Sequence, residues 1–345
     1  MAARRFFMAT GAGSLAVTAS LACAAPVALA QDFYKGKTLT IYIGFEPGGS
    51  YDYYGRLLAR HLGRHLPGTP TVIASSMPGA GGLRAANYLF AAAPKDGTAI
   101  GIVSQALVQE EALLNAAVQF KSAQFNWIGR ATDVVGIMMS WHTSQTRTPA
   151  DLTRRETTIA TTGPGSTTFG FPMLTNAFGD TRFKIISGYQ GAASGMLAME
   201  RGETDASTTD WNTLRTSKAD WLRDKKVNLL MVYAGSRSKD LPDVPAASEF
   251  SKTAEGREIL TYYASGQDVI GRAFLAPPSI PADRVSELRK AFDAAMADAE
   301  LKAEIDRSTA DFNPMSGAEL QKQVAALANV PPALISRMKD ALSAK

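Results

Sequence analysis

The sequence predicts an α/β protein of two lobes, with a set of C-terminal helices returning to pack on the first lobe. Three observations predict it. From residue 38 onward, apolar β-like runs alternate with helix-like ones, the order that builds a parallel sheet covered by helices. The alternation restarts near residue 134. Three glycine-rich turns each follow a β-like run and open a helix-like one: Pro47-Gly48-Gly49-Ser50-Tyr51-Asp52, Pro78-Gly79-Ala80-Gly81-Gly82, and Thr162-Gly163-Pro164-Gly165-Ser166-Thr167-Thr168.

The elements follow in order. Residues 38–44 read as a first strand and 50–66 as a helix with Ser50 as its N-cap, serine being a favoured residue there. Leu58, Leu62 and Leu66 share one face of that helix at four-residue spacing. Residues 71–76 are a second strand and 82–93 a second helix, which Pro94 ends. Lys95-Asp96-Gly97 turns into a third strand, 98–104. In the second half, residues 134–141, 157–161, 183–187, 204–209 and 227–233 are strand-like, with helices at 167–178 and 191–201. Leu241-Pro242-Asp243-Val244-Pro245 is a connection, and 269–276 another strand that Pro277-Pro278 breaks. Residues 281–344 are almost entirely helical, with breaks at Asn313-Pro314 and Pro331-Pro332. Residues 31–133 with 245–345 form one lobe in this reading, and 134–244 the other.

The first thirty residues are a different matter. Arg4-Arg5 precedes a mostly apolar stretch that ends in Ala28-Leu29-Ala30, the layout of a secretory signal peptide cut after Ala30. The arginine pair also fits a twin-arginine leader, and both export routes stay open. Cys23 does not complete a lipoprotein signal, because Ser20 stands where an aliphatic residue is wanted. Cleavage would remove the one cysteine of the chain, leaving an exported, periplasmic protein with no thiol, disulfide or cysteine–metal site.

Composition narrows the function classes. The chain has 345 residues, 46 % of them hydrophobic, enough for two cores. Its 36 basic and 32 acidic residues nearly balance, and nothing points to nucleic acid. His61 and His65 have the spacing of a zinc helix, yet the adjacent glutamate of a metalloprotease motif is missing. They read as solvated residues of the first helix, and neither a metal nor another cofactor is expected. No Gly-x-Ser-x-Gly elbow or phosphate-binding Gly-x-x-x-x-Gly-Lys loop occurs in residues 31–345.

The glycine turns carry the positive reading. A helix N-terminus presents unpaired N–H groups and a positive partial charge, so two such ends facing one gap bind an anion without lysine or arginine. Crevices of open α/β sheets lie beyond the carboxyl ends of the strands. The candidate ligand residues are therefore Gly49, Ser50, Tyr51, Asp52 and Tyr53 in the first turn, and Ala80 and Gly81 in the second. Ser104 and Gln105 follow the third strand. Gly165, Ser166, Thr167, Thr168 and Phe169 belong to the third turn, and Asp210 follows the strand at 204–209. Asp52 also fits an ordinary role, orienting the first turn of its helix and pairing with Arg56 four residues on. Tyr51, Tyr53 and Tyr54 point in different directions on a helix, so not all of them can face one cleft.

In sequence order, Phe33-Tyr34-Lys35-Gly36-Lys37, the first turn with Arg56, the second turn, Pro94-Lys95-Asp96-Gly97-Thr98, Gly163-Pro164-Gly165-Ser166, Tyr189-Gln190-Gly191 and Leu241-Pro242-Asp243-Val244-Pro245 resemble the periplasmic solute receptors of tripartite tricarboxylate transporters, the Bug receptors. The resemblance implies a two-lobed Venus-flytrap fold, the type II-like periplasmic-binding-protein architecture. It implies a small carboxylate held between the first βα loop and the loop around Gly165-Ser166, partly through water and without arginine clamps. It also implies delivery to membrane permease subunits by a non-enzymatic receptor, expected here to be a monomer. Phe169 stands where the family often has histidine, Gly55 where it often has alanine, and Ala276-Pro277-Pro278 replaces a more usual Ala-Pro-Ala-Gly run. A secreted α/β hydrolase and a receptor that feeds a signalling protein are the rival readings.

Overall fold

The computed structural model describes residues 33–113 and 116–343. The expected leader, its cut after Ala30 and Cys23 lie outside the described residues. The first half runs β1 (Thr38–Ile43), α1 (Ser50–Leu62), β2 (Thr71–Ser76), α2 (Leu83–Ala91), β3 (Ala99–Ile102), α3 (Leu107–Ala112) and β4 (Asn126–Arg130). The middle runs β5 (Gly136–Trp141), α4 (Asp151–Arg154), β6 (Thr157–Thr161), α5 (Thr167–Phe178), β7 (Phe183–Ser187), α6 (Ala192–Glu200), β8 (Ala206–Asp210), α7 (Trp211–Ser217), α8 (Ala219–Arg223) and β9 (Val227–Tyr233). The last third holds α9 (Ala254–Val269), β10 (Ala273–Ala276), α10 (Ala282–Ala297), α11 (Ala299–Ser308), β11 (Met315–Ser316), α12 (Gly317–Leu327) and α13 (Pro332–Ser343). Among the described residues no helix is long and apolar enough to cross a membrane.

Two sheets form. The first has the order β11-β4-β10-β3-β1-β2, parallel among β1, β2 and β3 and antiparallel through β10, β4 and β11. The second has the order β7-β6-β8-β5-β9, with β6 parallel to β7 and β8, and β5 antiparallel to β8 and β9. Both are covered on two faces, as alternating strands and helices require. In β1, Leu39, Ile41 and Ile43 alternate onto the face covered by α1, α10 and α11, each with 0 % exposure. Burying such a side chain stabilises the fold by about 1.5–3 kcal/mol. Tyr42 points to the opposite face, which α2 and α12 cover.

Most strands match the sequence reading, β2, β6, β7 and β9 to the residue. Two departures have physical causes. Residues up to Val269 end the long helix α9, so β10 begins only at Ala273, after Gly271 turns the chain at φ +48°. Gly49, not Ser50, is the N-cap of α1, and having no side chain it offers no side-chain cap, while the Ser50 hydroxyl is engaged across the cleft.

The segment 245–345 is not confined to the first sheet. Ala247, Ile259, Leu260, Tyr263 and Ala264 join the core of the second sheet with Phe171 and Leu174 of α5, and Met338 of α13 does the same. Helices α10, α11 and α12 pack on the first sheet as the sequence suggested. The strands pass from one sheet to the other through residues 131–135 and 270–272, and the chain crosses once more between α12 and α13. The first two crossings bind each other: Ala131 N donates to Arg272 O (3.0 Å) and Arg272 N to Thr132 O (2.9 Å).

The strand β4 is held by a close approach. A Cβ on Gly129 would lie 2.1 Å from Cε1 of Phe292 on α10, the kind of contact an interior strand glycine marks. Gly129→Ala is expected to lose about 1–3 kcal/mol, the usual cost of overpacking. A lower urea midpoint at unchanged slope would register it, and an unchanged midpoint would show that α10 has room to move.

Candidate functional site

Between the lobes lies a cavity of about 70 Å³. It opens at the ends the sequence singled out: the starts of α1 and α5, the loop after β3 and the end of β8. Of the candidate residues, Gly49, Ser50, Tyr51, Ser104, Gln105, Ser166, Thr167, Thr168 and Asp210 line it. The start of α1 and Gln105 come from the first lobe, and Ser166, Thr167, Thr168 and Asp210 from the second. That makes the cavity a joint product of the two sheets.

At its floor is a cation the sequence reading had left out. Arg272 sits where the chain crosses between sheets, with its side chain 4 % exposed. Its Nε donates to Ser50 Oγ (2.7 Å) and its Nη2 to Asp210 Oδ2 (3.0 Å), while Nη1 donates to Gln105 Oε1. The guanidinium lies 3.9 Å from the ring centroid of Tyr51, a cation–π contact. Ser50 Oγ in turn donates a hydrogen bond to Asp210 Oδ2 at 2.6 Å. Asp210 in turn caps α7, accepting from Thr213 N at 2.8 Å and from Thr213 Oγ1 at 3.2 Å. Desolvation pushes the Tyr51 phenol upward, with Arg272 pulling the other way. The ring also stacks on Phe45 at 4.3 Å.

Four helix N-termini surround this gap, and the chain fills two of them itself. Asp210 takes the start of α7. Glu46 reaches from the first lobe to the start of α6, where its Oε1 accepts from Ser194 N at 2.7 Å. The starts of α1 and α5 have no side-chain cap. Near α5 the hydroxyls bind one another instead: Thr162 Oγ1 donates to Ser166 Oγ (2.6 Å), and Thr168 Oγ1 lies 2.8 Å from the same oxygen. Two uncapped helix starts facing one cavity are what a carboxylate needs.

The other candidates sit elsewhere. Asp52 accepts from Gly48 N (3.2 Å) and from Arg56 Nε (2.7 Å), the orienting role its position allows. It and Tyr53 line a wider groove along α1 and α7 that shares Gly49 and Ser50 with the cavity. Tyr53 has its hydroxyl 2.6 Å from Ser308 Oγ, so it faces α11. Tyr54 donates to Asp311 O at 2.5 Å and is buried in the core. Phe169 is half-buried on α5 but does not line the cavity.

Ala80, Gly81 and Gly165 do not line it either. They make the contact between the lobes. A Cβ on Gly81 would lie 2.7 Å from Ser166 N, and one on Gly165 2.7 Å from Ala80 O. Both glycines have positive φ, +65° and +104°. The second glycine turn is thus a surface against which the third one closes.

Besides Arg272, the reading missed Glu46, Thr162, Thr208, Thr209, Tyr233 and Gln267, all of which line the cavity. A signal existed for the first: Arg272 is a lone charge in the otherwise apolar run from Val269 to Ala276. Tyr233 and Thr209 stand at strand ends, where the crevice rule would have pointed.

His61 and His65 are not the solvated residues of the first helix that the sequence suggested: His61 is buried, and His65 is partly buried just beyond the end of α1, because both pair with the start of α11 and its neighbours. Among the described residues, His61, Asp298 and Glu300 bring metal-ligating atoms together. Arg64 occupies their centre, donating to His61 Nδ1, to Asp298 (2.8 Å) and to Glu300. His65 Nε2 lies 2.8 Å from Asp298 Oδ2. Hydrogen bonds from the Glu300 backbone and His65, with the charge of Arg64, hold Asp298 down to about 2 against the effect of burial. This is an ion-pair seam between α1 and α11.

The profile of the tripartite tricarboxylate transporter family receptor matches residues 55–338. A Cupriavidus necator protein, described as UPF0065 protein in gbd 5'region, is 29 % identical over 261 residues, 71 % of this chain and 74 % of the relative. Among solved structures, the periplasmic binding protein BugD superposes with a TM-score of 0.69 at 21 % identity, over 89 % of this chain and 98 % of that one. MatC from Rhodopseudomonas palustris with bound malate gives 0.67 at 18 %, over 89 % and 99 %. These structures establish the two-lobed fold.

The lobe contact yields an expectation that separates closure from folding. Gly163 has positive φ, +116°, but open space where a Cβ would go, whereas Gly165 adds the clash with Ala80. Gly163→Ala and Gly165→Ala therefore share the backbone strain of order 1–3 kcal/mol, and only the second props the lobes apart. Small-angle scattering should show a larger radius of gyration for Gly165→Ala alone. Equal radii would mean that the contact does not govern closure.

Proposed function

The chain belongs to the tripartite tricarboxylate transporter family receptors, and from that premise we propose that it captures a small carboxylate in the cavity between its lobes and delivers it to membrane permease subunits. The observation that carries this reading is the pair of uncapped helix starts, α1 from one lobe and α5 from the other, facing one buried cavity. A carboxylate there accepts from both lobes at once. Its oxygens replace hydration lost on closure, and the partial positive charge of each helix start adds to the attraction. The malate bound to MatC is in keeping with this ligand class.

We read the protein as a receptor without turnover. Among the described residues, those lining the cavity include no histidine, cysteine or lysine. Asp210 and Arg272 hold each other, and Asp210 also caps α7, so neither is poised as a base or a nucleophile. The tricarboxylate of the family name does not fix the ligand: beside its polar groups the cavity wall carries Tyr51, Phe45 and Val134.

Two measurements test the reading. Citrate, malate and an aromatic acid are offered to the protein in a thermal-shift assay, where binding to the folded state raises Tm. Proton NMR then follows the bound acid over hours. The expected result is a rise in Tm with at least one acid and no conversion. No shift with any carboxylate, or steady consumption of the acid, would overturn it. For export, we propose a leader removed after Ala30. The intact mass of protein recovered from the periplasm should correspond to a chain starting at Gln31, and a lipid-modified Cys23 would refute that.

A further inference from the structure

Outside the network around Arg272, another contact joins the lobes. Glu46 follows β1 in the first lobe. Its Oε1 accepts from Ser194 N at 2.7 Å, in the first turn of α6 in the second lobe. The two residues stand 148 positions apart in sequence. The backbone joins in as well: Glu46 N donates to Gln190 O at 3.3 Å, just before that helix.

The local sequence suits this contact. Gly191 is the N-cap of α6 and has no side chain to satisfy the first amides of the helix. A Cβ on Gly191 would lie 2.7 Å from Cγ of Glu46, so the glycine also leaves the space that Glu46 fills. Its backbone is extended, φ −179°, which any residue adopts, so the missing side chain serves packing and not conformation. A carboxylate is the group that a helix start favours. Asp210 meets the start of α7 in the same way, but as an N-cap from within its own lobe. Glu46 reaches over from the other lobe. Its place gives it leverage. Two of the crossings between the lobes bind each other at the cavity floor, where Arg272 is 4 % exposed. Glu46 is half-buried, and Pro47, Gly48 and Gln190 beside it are exposed. The contact therefore lies toward solvent, on the wall that Glu46 and Ala192 both line, and separating the lobes on this side breaks it.

We propose that Glu46 is a positioning residue of the cavity: its carboxylate clasps the start of α6 and holds the lobes at the separation where the starts of α1 and α5 line one space. A contact made only in the closed form favours that form by its own free energy. The population able to hold a ligand between the lobes rises with it, and so does the apparent affinity. The effect on affinity rests on the receptor reading above, whereas the effect on closure does not.

The test removes the clasp from each side in turn. Glu46→Ala deletes the carboxylate. Gly191→Ala places a Cβ against Cγ of Glu46 and displaces it. Small-angle scattering on the ligand-free proteins should show a larger radius of gyration for both than for the wild type. Glu46→Gln keeps an oxygen that accepts from Ser194 N, and its radius should fall between those of the wild type and Glu46→Ala. The double variant should match Glu46→Ala, because two changes to one contact do not add. Calorimetry with malate, citrate and an aromatic acid then follows affinity. Whichever of these the wild type binds, Glu46→Ala should bind about tenfold more weakly, the worth of one hydrogen bond to a charged group. A residue that only steadied its own loop would lower Tm and leave the radius alone. An unchanged radius for Glu46→Ala would therefore overturn the proposal. So would a Gly191→Ala change that enlarges the Glu46→Ala protein further, since it would then act without Glu46. If the wild type binds none of the acids, the receptor reading fails, and the ligand-free radii still decide the clasp.

Discussion

A buried guanidinium at the crossing between the lobes constrains the whole cleft. Taking Arg272 out of water costs several kcal/mol unless its charge and donors are met. They are met by groups from separate parts of the fold: Asp210 at the end of β8, Ser50 at the start of α1, Gln105 after β3 and the face of the Tyr51 ring. Each of these must be in register for the charge to be satisfied. The consequences reach into local structure. Ser50 opens α1 behind the side-chain-free N-cap Gly49, and its hydroxyl accepts from Arg272 and donates to Asp210, so the network fixes the start of α1 at the wall of the cavity. A structural requirement thereby creates a binding feature.

Much of the fold was legible because its strands are apolar runs with clean ends. β6, β7 and β9 are each five to seven residues bounded by turns. What escaped has specific causes. β4, Asn126–Arg130, carries a glycine and a charged end, and its strand character comes from pairing with β10 and packing on Phe292. Helix α9 contains Gly256 and Gly266, each tolerated because another side chain fills the space of a missing Cβ, Ser251 and Gln109 respectively. Both elements depend on partners more than a hundred residues away or on side chains from other loops, and neither dependence is written in local periodicity.

The site was legible by half for a similar reason. Glycine-rich turns announce themselves, and the starts of α1 and α5 were located from them alone. Yet the same signature served two purposes. The turns at Gly49 and at Ser166 to Thr168 face the cavity, whereas the turn at Ala80 and Gly81 faces the other lobe. Composition cannot separate a glycine that admits a ligand from one that admits a neighbouring backbone. The tyrosines show the matching limit for helices. At 100° per residue, Tyr51, Tyr53 and Tyr54 diverge to the cavity, to Ser308 and to the core. The residues that close the cavity from below, Arg272, Gln267 and Tyr233, arrive by topology, from crossings and strand ends far apart in the chain.

Recognition and closure are therefore coupled through the same atoms. A ligand can shift an equilibrium between open and closed lobes only by its difference in affinity for the two. A group held by α1 alone, or by α5 alone, would bind both forms alike and move nothing. The two uncapped helix starts belong to different lobes, so a carboxylate bound as proposed would meet both when Gly81 and Gly165 are in contact. The small residues at that contact set how near the helix starts come, and the contacts of Glu46 with α6 and of Asp210 with Arg272 set which charges are already spoken for when they do. On the proposed reading, closure would select for an anion small enough to sit between two helix ends, and the rest of the cavity wall would decide which such anion it is.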